Sequence, residues 1–148
     1  MDTREIAPLI IGKLLNIGGM LQKEGNTLLK PHNLNQQQYS ILFTIYQSGK
    51  VNQKSMVNRL LLEKPHVSKV TKKLHRMGLI DVETSEADKR SSWLSITAKG
   101  IETVRKCQES IHKWNEEWTK EMGRDDLDMA LESLTVLQEV FRATTDQQ

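Results

Sequence analysis

The sequence predicts a mainly α (α+β) fold, a winged helix-turn-helix with a two-stranded β-wing and N- and C-terminal dimerisation helices. Three observations predict it. A tight turn at 61–64 separates a short helix from a basic one, a two-residue period follows the basic helix, and long amphipathic helices lie at both ends. We expect a single domain over 1–148, with 35–97 as the winged helix-turn-helix region and 1–30 and 98–148 as dimerisation helices.

The basic helix is predicted over residues 64–78. Apolar and small residues recur at helical spacing on one face, at Val67, Val70, Thr71, Leu74 and Met77. Cations repeat that spacing on the opposite face, at Lys69, Lys72, Lys73 and Arg76. Pro65 suits the first turn, and Gly78 can adopt the left-handed conformation that ends a helix. This charge pattern fits a helix that lies among phosphates in a DNA major groove, and an ordinary solvated lysine face is the alternative.

The N-terminal helix is predicted over residues 5–29, with Pro8 in its first turn. Its apolar surface is wider than one packing partner requires, so we expect the helix to be shared between its own domain and a second subunit. Gly18 and Gly19 should weaken or bend the helix where they occur.

Capping residues predict the next two helices. Asn35 is expected to cap a helix that runs to about Gln47. Three residues of this helix are predicted to face inward, namely Leu42, Ile45 and Tyr46. Asn52 is expected to cap the short helix that precedes the turn.

Two strands are predicted after the basic helix, over residues 79–83 and 91–96, and the polar stretch between them forms a hairpin. A hairpin in this place is a wing. Its tip carries Lys89 and Arg90, and a basic tip suits a minor groove, where the negative potential favours arginine. Asp88 lies two residues before Arg90, so its carboxylate can hold the guanidinium in a fixed orientation.

The C-terminal part is predicted to be two helices, one capped by Thr97 and running to about Met122, the other capped by Asp125. Apolar residues of the first helix alternate spacings of three and four, as in a coiled coil, at Val104, Cys107, Ile111, Trp114 and Trp118. With the helix over 5–29, these helices indicate a dimerisation region built from both ends of the chain.

The net charge of +2 is small, but the positive charge is concentrated in residues 64–76 and the C-terminal part is acidic. Binding to a polyanion is therefore expected to be local to the middle of the chain. One cysteine excludes an intrachain disulfide and favours a reducing compartment. The N-terminus lacks a signal-peptide pattern and no apolar run approaches the ~20 residues that cross a bilayer, so we expect a soluble cytoplasmic protein without a membrane partner.

The sequence contains no catalytic motif of the common phosphate-binding, hydrolase or metalloprotease types, so we expect neither an enzyme nor a cofactor. The four histidines share no ligand spacing, which argues against a metal site. Cys107 lies on an apolar seam, where a cysteine is usually a small buried hydrophobe rather than an oxidant sensor.

Three segments together resemble the MarR-type (multiple antibiotic resistance regulator) winged helix-turn-helix transcriptional regulators. They are 67–80, Asp88-Lys89-Arg90 at the family's spacing, and Leu94-Ser95-Ile96-Thr97-Ala98-Lys99-Gly100. The resemblance implies a homodimer with interlocked first, fifth and sixth helices, bound to double-stranded DNA at a pseudo-palindromic operator. It also implies repression of transcription, with release when a small amphipathic or phenolic effector binds between the dimerisation and DNA-binding regions. Two departures are Val82, where the family commonly has arginine, and Pro65-His66, where small hydroxyl residues are common.

We therefore predict a DNA interface made of His66, Ser68, Lys69, Lys72, Lys73 and Arg76 in the recognition helix and of Asp88, Lys89 and Arg90 in the wing. Ser68 and Lys69, near the helix N-terminus, are expected to read base edges, whereas Lys73 and Arg76 hold phosphates. The predicted function is a dimeric, sequence-specific DNA-binding repressor that a small molecule releases. The alternatives are a winged-helix module that binds an acidic protein partner and a DNA-binding regulator or activator that responds to no ligand.

Overall fold

A computed structural model describes residues 1–84, 87 and 92–146. Its described elements are, in chain order, α1 (Thr3–Leu29), a 3₁₀ helix (Lys30–His32), α2 (Gln36–Ser48), β1 (Lys50–Asn52), α3 (Gln53–Leu60), α4 (Lys64–Arg76), β2 (Ile80–Thr84), β3 (Ser92–Ile96), α5 (Ala98–Thr119) and α6 (Arg124–Thr145). Helices dominate, and β1, β2 and β3 form a small antiparallel sheet. The predicted mainly α winged helix-turn-helix fold is confirmed.

The chain divides into two compact units, Met1–Ile111 and His112–Gln148. The first unit contains the helix-turn-helix and the sheet, and the second contains the end of α5 and all of α6. The prediction of one domain over 1–148, with its division into dimerisation and DNA-binding regions, stays a prediction.

The hydrophobic core of the first unit lies beneath the helix-turn-helix. Its fully buried side chains include Leu29, Ile41, Leu42, Ile45, Met56, Val67, Leu74, Leu79, Ile80, Leu94, Val104 and Cys107. On α4 the four residues Val67, Val70, Thr71 and Leu74 are buried, as their helical spacing predicts. Burial of each large aliphatic side chain contributes about 1.5–3 kcal/mol to the free energy of folding. The buried face therefore determines which side of α4 is exposed to solvent.

β3 is the central strand of the sheet. Val82 of β2 and Val51 of β1 pair with the buried Leu94 from opposite sides. The sequence did not predict β1, because a strand of three residues is too short to display a two-residue period. At the edge, the Lys50 ammonium lies 2.8 Å from the Glu83 carboxylate and 5.9 Å from the centre of the Trp93 ring, so β1 is tied to both wing strands.

The ends of α1 differ from the prediction. The helix begins at Thr3 because the Asp2 carboxylate accepts hydrogen bonds from the Arg4 and Glu5 amides, and the Glu5 side chain bonds back to the Asp2 amide. Pro8 therefore lies in the second turn rather than the first. The helix continues without interruption through the Gly18–Gly19 pair, where it was expected to weaken or bend.

Asn35, Asn52 and Thr97 begin α2, α3 and α5 as predicted. Two other predictions are wrong. Asp125 is not a cap, because the N-cap of α6 is Gly123 and Asp125 lies within the first turn, where its carboxylate still favours the helix dipole. Leu42 and Ile45 are buried as predicted, but Tyr46, which lies two turns after the buried Tyr39 near the end of α2, is 38% exposed.

Candidate nucleic-acid interface

The recognition helix α4 is held at both ends. Glu63 is its N-cap residue, and Pro65 lies in the first turn, where a missing N–H leaves no hydrogen bond unmade. Leu61 turns the chain between α3 and α4 with a left-handed backbone, at a φ of 53°. After the helix, Gly78 has a φ of 76°, a conformation that glycine adopts without steric cost.

The outer face of α4 is cationic, since Lys69, Lys72, Lys73 and Arg76 are all exposed. Ser68 and His66 are partly buried, and the His66 Nε2 atom is buried without a hydrogen-bond partner among the described residues. The structure thus brings the six recognition-helix residues of the predicted interface onto one element. Their contacts with DNA stay a prediction.

An open groove of about 970 Å³ lies beside this face. It is lined by Asn52, Gln53, Lys54, Val57, Asn58, Lys64, Ser68, Thr71, Lys72, His75, Val82 and Ser92. The groove therefore runs between α3, α4 and the base of the wing, with three lysines in its lining and no carboxylate on any of these described residues. Its electrostatic character suits an anionic occupant.

The contributions of α3 and of Lys64 to this groove were not predicted from the sequence. Lys54 lies in the first turn of α3, whose cap is Asn52, and Asn58 lies one turn further along. The first helix of a helix-turn-helix crosses the DNA backbone, so the docking geometry of this motif was the signal that could have identified these residues.

Hydrogen bonds made by two side chains, those of Thr71 and His75, support the elements that line the groove. The buried Thr71 hydroxyl lies 3.0 Å from the Ser68 carbonyl oxygen and 3.3 Å from the Gln53 amide oxygen, which ties α4 to the start of α3. The His75 Nδ1 atom donates to the Ile80 carbonyl oxygen at 3.1 Å and so links the end of α4 to β2. The side chains that line the groove are therefore set on packed elements.

The predicted wing residues Asp88, Lys89 and Arg90 lie outside the described residues. At the described base of the wing, the hydrogen bond from Lys50 holds the pKa of the Glu83 carboxyl below its usual value. Val82 is partly exposed, and its apolar side chain lines the groove. Arginine is common at this position in the family that the sequence resembles.

Cys107 is fully buried on the inner face of α5, and burial raises the pKa of its thiol to about 11. Its complete burial among the core side chains confirms the prediction that Cys107 is a core residue. The described part of the chain contains no group of three or more histidine, cysteine or carboxylate side chains that could hold a metal ion. No helix built from the described residues is both long and apolar enough to cross a membrane.

A short first helix, a basic second helix with an exposed cationic face and an antiparallel strand pair define a winged helix-turn-helix protein. Comparison with known proteins makes this more specific. Residues 34–92 match the model of the MarR family, which confirms the resemblance predicted from the sequence over these residues.

One relative is the HTH-type transcriptional regulator MgrA of Staphylococcus aureus, which is 34% identical over 80 residues. The match covers 54% of this chain and 54% of MgrA, so the chain spans about half the length of the curated relatives it matches. The relatives of this name are HTH-type transcriptional regulators.

Two solved structures show the same fold over nearly the whole chain. A Staphylococcus aureus MarR, in complex with salicylate and kanamycin, superposes with a TM-score of 0.85 at 23% identity and covers 94% of each chain. A mutant MarR from E. coli, complexed with operator DNA, superposes with a TM-score of 0.78 at 19% identity and covers 93% of this chain and 99% of its own.

Proposed function

We propose that the protein is a dimeric, sequence-specific DNA-binding transcriptional regulator that acts in the cytoplasm. The observation that carries this proposal is the exposed cationic face of α4 beside a groove lined by lysines and polar side chains. An α-helix fits into the major groove of B-DNA, and lysine and arginine side chains neutralise the phosphates that border it. The buried face of α4 leaves only one way to present the helix to DNA.

The residues of the interface have two roles in this proposal. Ser68 and Lys69, toward the N-terminal end of α4, reach base edges, which carry the sequence information. The other cations hold backbone phosphates, and they include Lys73 and Arg76 on α4 together with Lys54, Lys64 and Lys72 in the groove. Asp88, Lys89 and Arg90 of the wing extend the interface toward a minor groove, on the grounds of sequence alone.

We further propose that the protein is a homodimer on a pseudo-palindromic operator. α1 leaves many large apolar side chains exposed, among them Leu9, Ile11, Leu15, Ile17 and Met20. In the second unit, α6 does the same with Met129, Leu131, Leu134, Val136 and Val140. Exposed apolar surfaces of this extent are typical of helices that pack against another subunit.

Repression and its release by a small amphipathic or phenolic effector are the finer part of the proposal. The complex of the Staphylococcus aureus MarR with salicylate, an aromatic acid, supports an effector of this kind, and the operator complex of the E. coli MarR supports the DNA target. The competing function is a winged-helix module whose cationic face binds an acidic protein surface, because the same lysines would serve both partners.

Salt dependence separates these functions. Duplexes that the wild type selects from a randomised pool are titrated at several salt concentrations, with polyglutamate as a competitor. We expect log K to fall by about 0.9 per unit of log salt for each phosphate neutralised, and a matched scrambled duplex to bind more weakly. Lys106→Ala, at an exposed lysine on α5, serves as the control and should leave the slope unchanged. A flat salt dependence, no selected consensus, or competition by polyglutamate as effective as that by the duplex would contradict DNA reading.

A further inference from the structure

The residues at the start of α5 form hydrogen bonds with the segment that follows the recognition helix. Three consecutive carbonyl oxygens, those of Met77, Gly78 and Leu79, each accept a hydrogen bond from residues 97–99. The Lys99 ammonium donates to Met77 at 2.8 Å, the Thr97 hydroxyl donates to Gly78 at 2.7 Å, and the Thr97 amide donates to Leu79 at 3.1 Å. We refer to these three hydrogen bonds as the helix clamp.

Packing reinforces the helix clamp. Gly100, in the first turn of α5, is buried so close to the Leu79 carbonyl oxygen that a Cβ atom there would overlap it. The Gly100 amide donates at 3.0 Å to the Thr97 hydroxyl, which therefore caps α5 while it donates to Gly78. One hydroxyl thus joins the N-terminus of α5 to the C-terminus of α4.

The helix clamp is not needed to end α4. The Gly78 amide already donates to the His75 carbonyl at 2.9 Å, and the Leu79 amide donates to the Leu74 carbonyl at 3.0 Å, which closes the helix with its own backbone. Gly78 is also a hinge between α4 and β2, because glycine has no Cβ atom to restrict its backbone angles. Bonds from α5 to the carbonyls around this glycine restrict the hinge, and β2 begins directly after it at Ile80.

We propose that Thr97 and Lys99 are positioning residues for sequence reading, because the helix clamp fixes the direction of α4 relative to the first turn of α5. This inference rests on the proposed DNA-binding function. Direct phosphate binding by the exposed Lys99 ammonium is the competing explanation. The two differ in the quantity that a substitution changes. A positioning residue alters the discrimination between sequences, whereas a phosphate contact alters all affinities alike together with the salt slope.

The first test compares Thr97→Val with Thr97→Ser. Valine has nearly the same shape but loses the hydroxyl bonds to Gly78 and Gly100, and serine keeps both. Each variant is titrated against the duplex that the wild type selects and against its scrambled version, at a temperature where thermal unfolding shows both variants folded. The discrimination ratio is the affinity for the selected duplex divided by the affinity for the scrambled one. We expect Thr97→Val to lower this ratio about tenfold, as the loss of a well-placed hydrogen bond does, and Thr97→Ser to match the wild type. Equal discrimination by all three proteins would overturn the proposal.

The second test uses Lys99→Met, which keeps the aliphatic chain and removes the donor, with Lys106→Met as its control on the same helix. We expect the salt slope of Lys99→Met to equal that of the control, while its discrimination ratio falls. A slope that becomes shallower by about 0.9, with unchanged discrimination, would identify Lys99 as a phosphate contact and overturn its positioning role. If the wild type selects no consensus, the proposed DNA-binding function is wrong. If the wild type selects a consensus and the clamp variants discriminate as well as the wild type, only the positioning role is wrong.

Discussion

Lys69 and Arg76 lie seven residues, or two turns, apart on the exposed face of α4. In the proposed DNA complex, these two residues make different contacts with the duplex. Lys69→Ala is expected to cost about 1–3 kcal/mol of binding free energy and to relax the preference at one base position, because a base-edge contact is lost. Selection from a randomised pool with the variant measures this directly. A consensus identical to that of the wild type would contradict base reading by Lys69.

Arg76→Ala provides the matched comparison for that prediction. The guanidinium is assigned to a phosphate, so its removal should weaken binding to every sequence by a similar factor and reduce the salt slope by about 0.9. A changed consensus would move Arg76 from the phosphate contacts to the base contacts.

At the scale of single residues, the sequence identified the cations of α4 because helical spacing separates a buried face from an exposed one. It did not identify Lys54 or Asn58, since nothing in the spacing of α3 indicates that its first turns face the same groove as Ser68. That proximity depends on the docking of α3 against α4, which the bond between Gln53 and Thr71 helps to fix. A local pattern cannot encode such a tertiary contact.

At the scale of elements, caps were the most informative local signal. Asn35, Asn52 and Thr97 each begin a helix because a short polar side chain can accept a hydrogen bond from the first turn. The capping prediction was wrong at Asp125, because Gly123, two residues earlier, adopts the extended N-cap conformation. Asp126 and Asp128 follow Asp125 closely, so the sequence did not single out one residue as the cap. β1 was not predicted, because it forms by pairing with β3, which is distant in the sequence.

The turn between α3 and α4 carries conformational strain that can be tested. Leu61 has a φ of 53° and is 90% exposed, so it bears the steric cost of a left-handed backbone without burying its side chain. Leu61→Asn is expected to raise the free energy of unfolding by about 0.5–1 kcal/mol, because asparagine tolerates this conformation. Asn33, with a φ of 62°, offers the reverse control, and Asn33→Leu should be destabilising. Denaturant titration measures both, and a less stable Leu61→Asn would contradict the strain argument.

At the scale of the whole molecule, the chain separates positive charge from apolar surface. The cations of α4 and the groove belong to the first unit. Large apolar side chains are exposed on α1 of that unit and on α6 of the second unit. This distribution explains why a net charge of only +2 is compatible with a polyanion partner. The wide apolar stripe of α1 was predictable from the sequence, whereas the surface that would cover it in the proposed dimer was not, because a partner leaves no signal in the periodicity.

The dimer proposal yields a prediction about α1. Leu15 is 73% exposed, so Leu15→Glu removes little packing within the protomer, but it places two carboxylates in a two-fold symmetric interface. Losing two buried leucines should weaken the dimer by about 3–6 kcal/mol, or roughly a hundredfold to ten-thousandfold in the dissociation constant. Lys13→Glu, at an exposed polar position of the same helix, is the control for added negative charge.

Sedimentation equilibrium over a range of protein concentrations measures the dissociation constant of both variants. Leu15→Glu is expected to dissociate at concentrations at which the wild type and Lys13→Glu remain dimeric. Its affinity for a two-half-site duplex should fall in parallel, because two half-sites bound by one dimer lose their linkage when the protomers separate. Deletion of residues 124–148, which removes α6, should likewise yield a monomer or an aggregate without operator binding. A Leu15→Glu dimer as tight as the wild type would show that the apolar face of α1 is not the dimer interface.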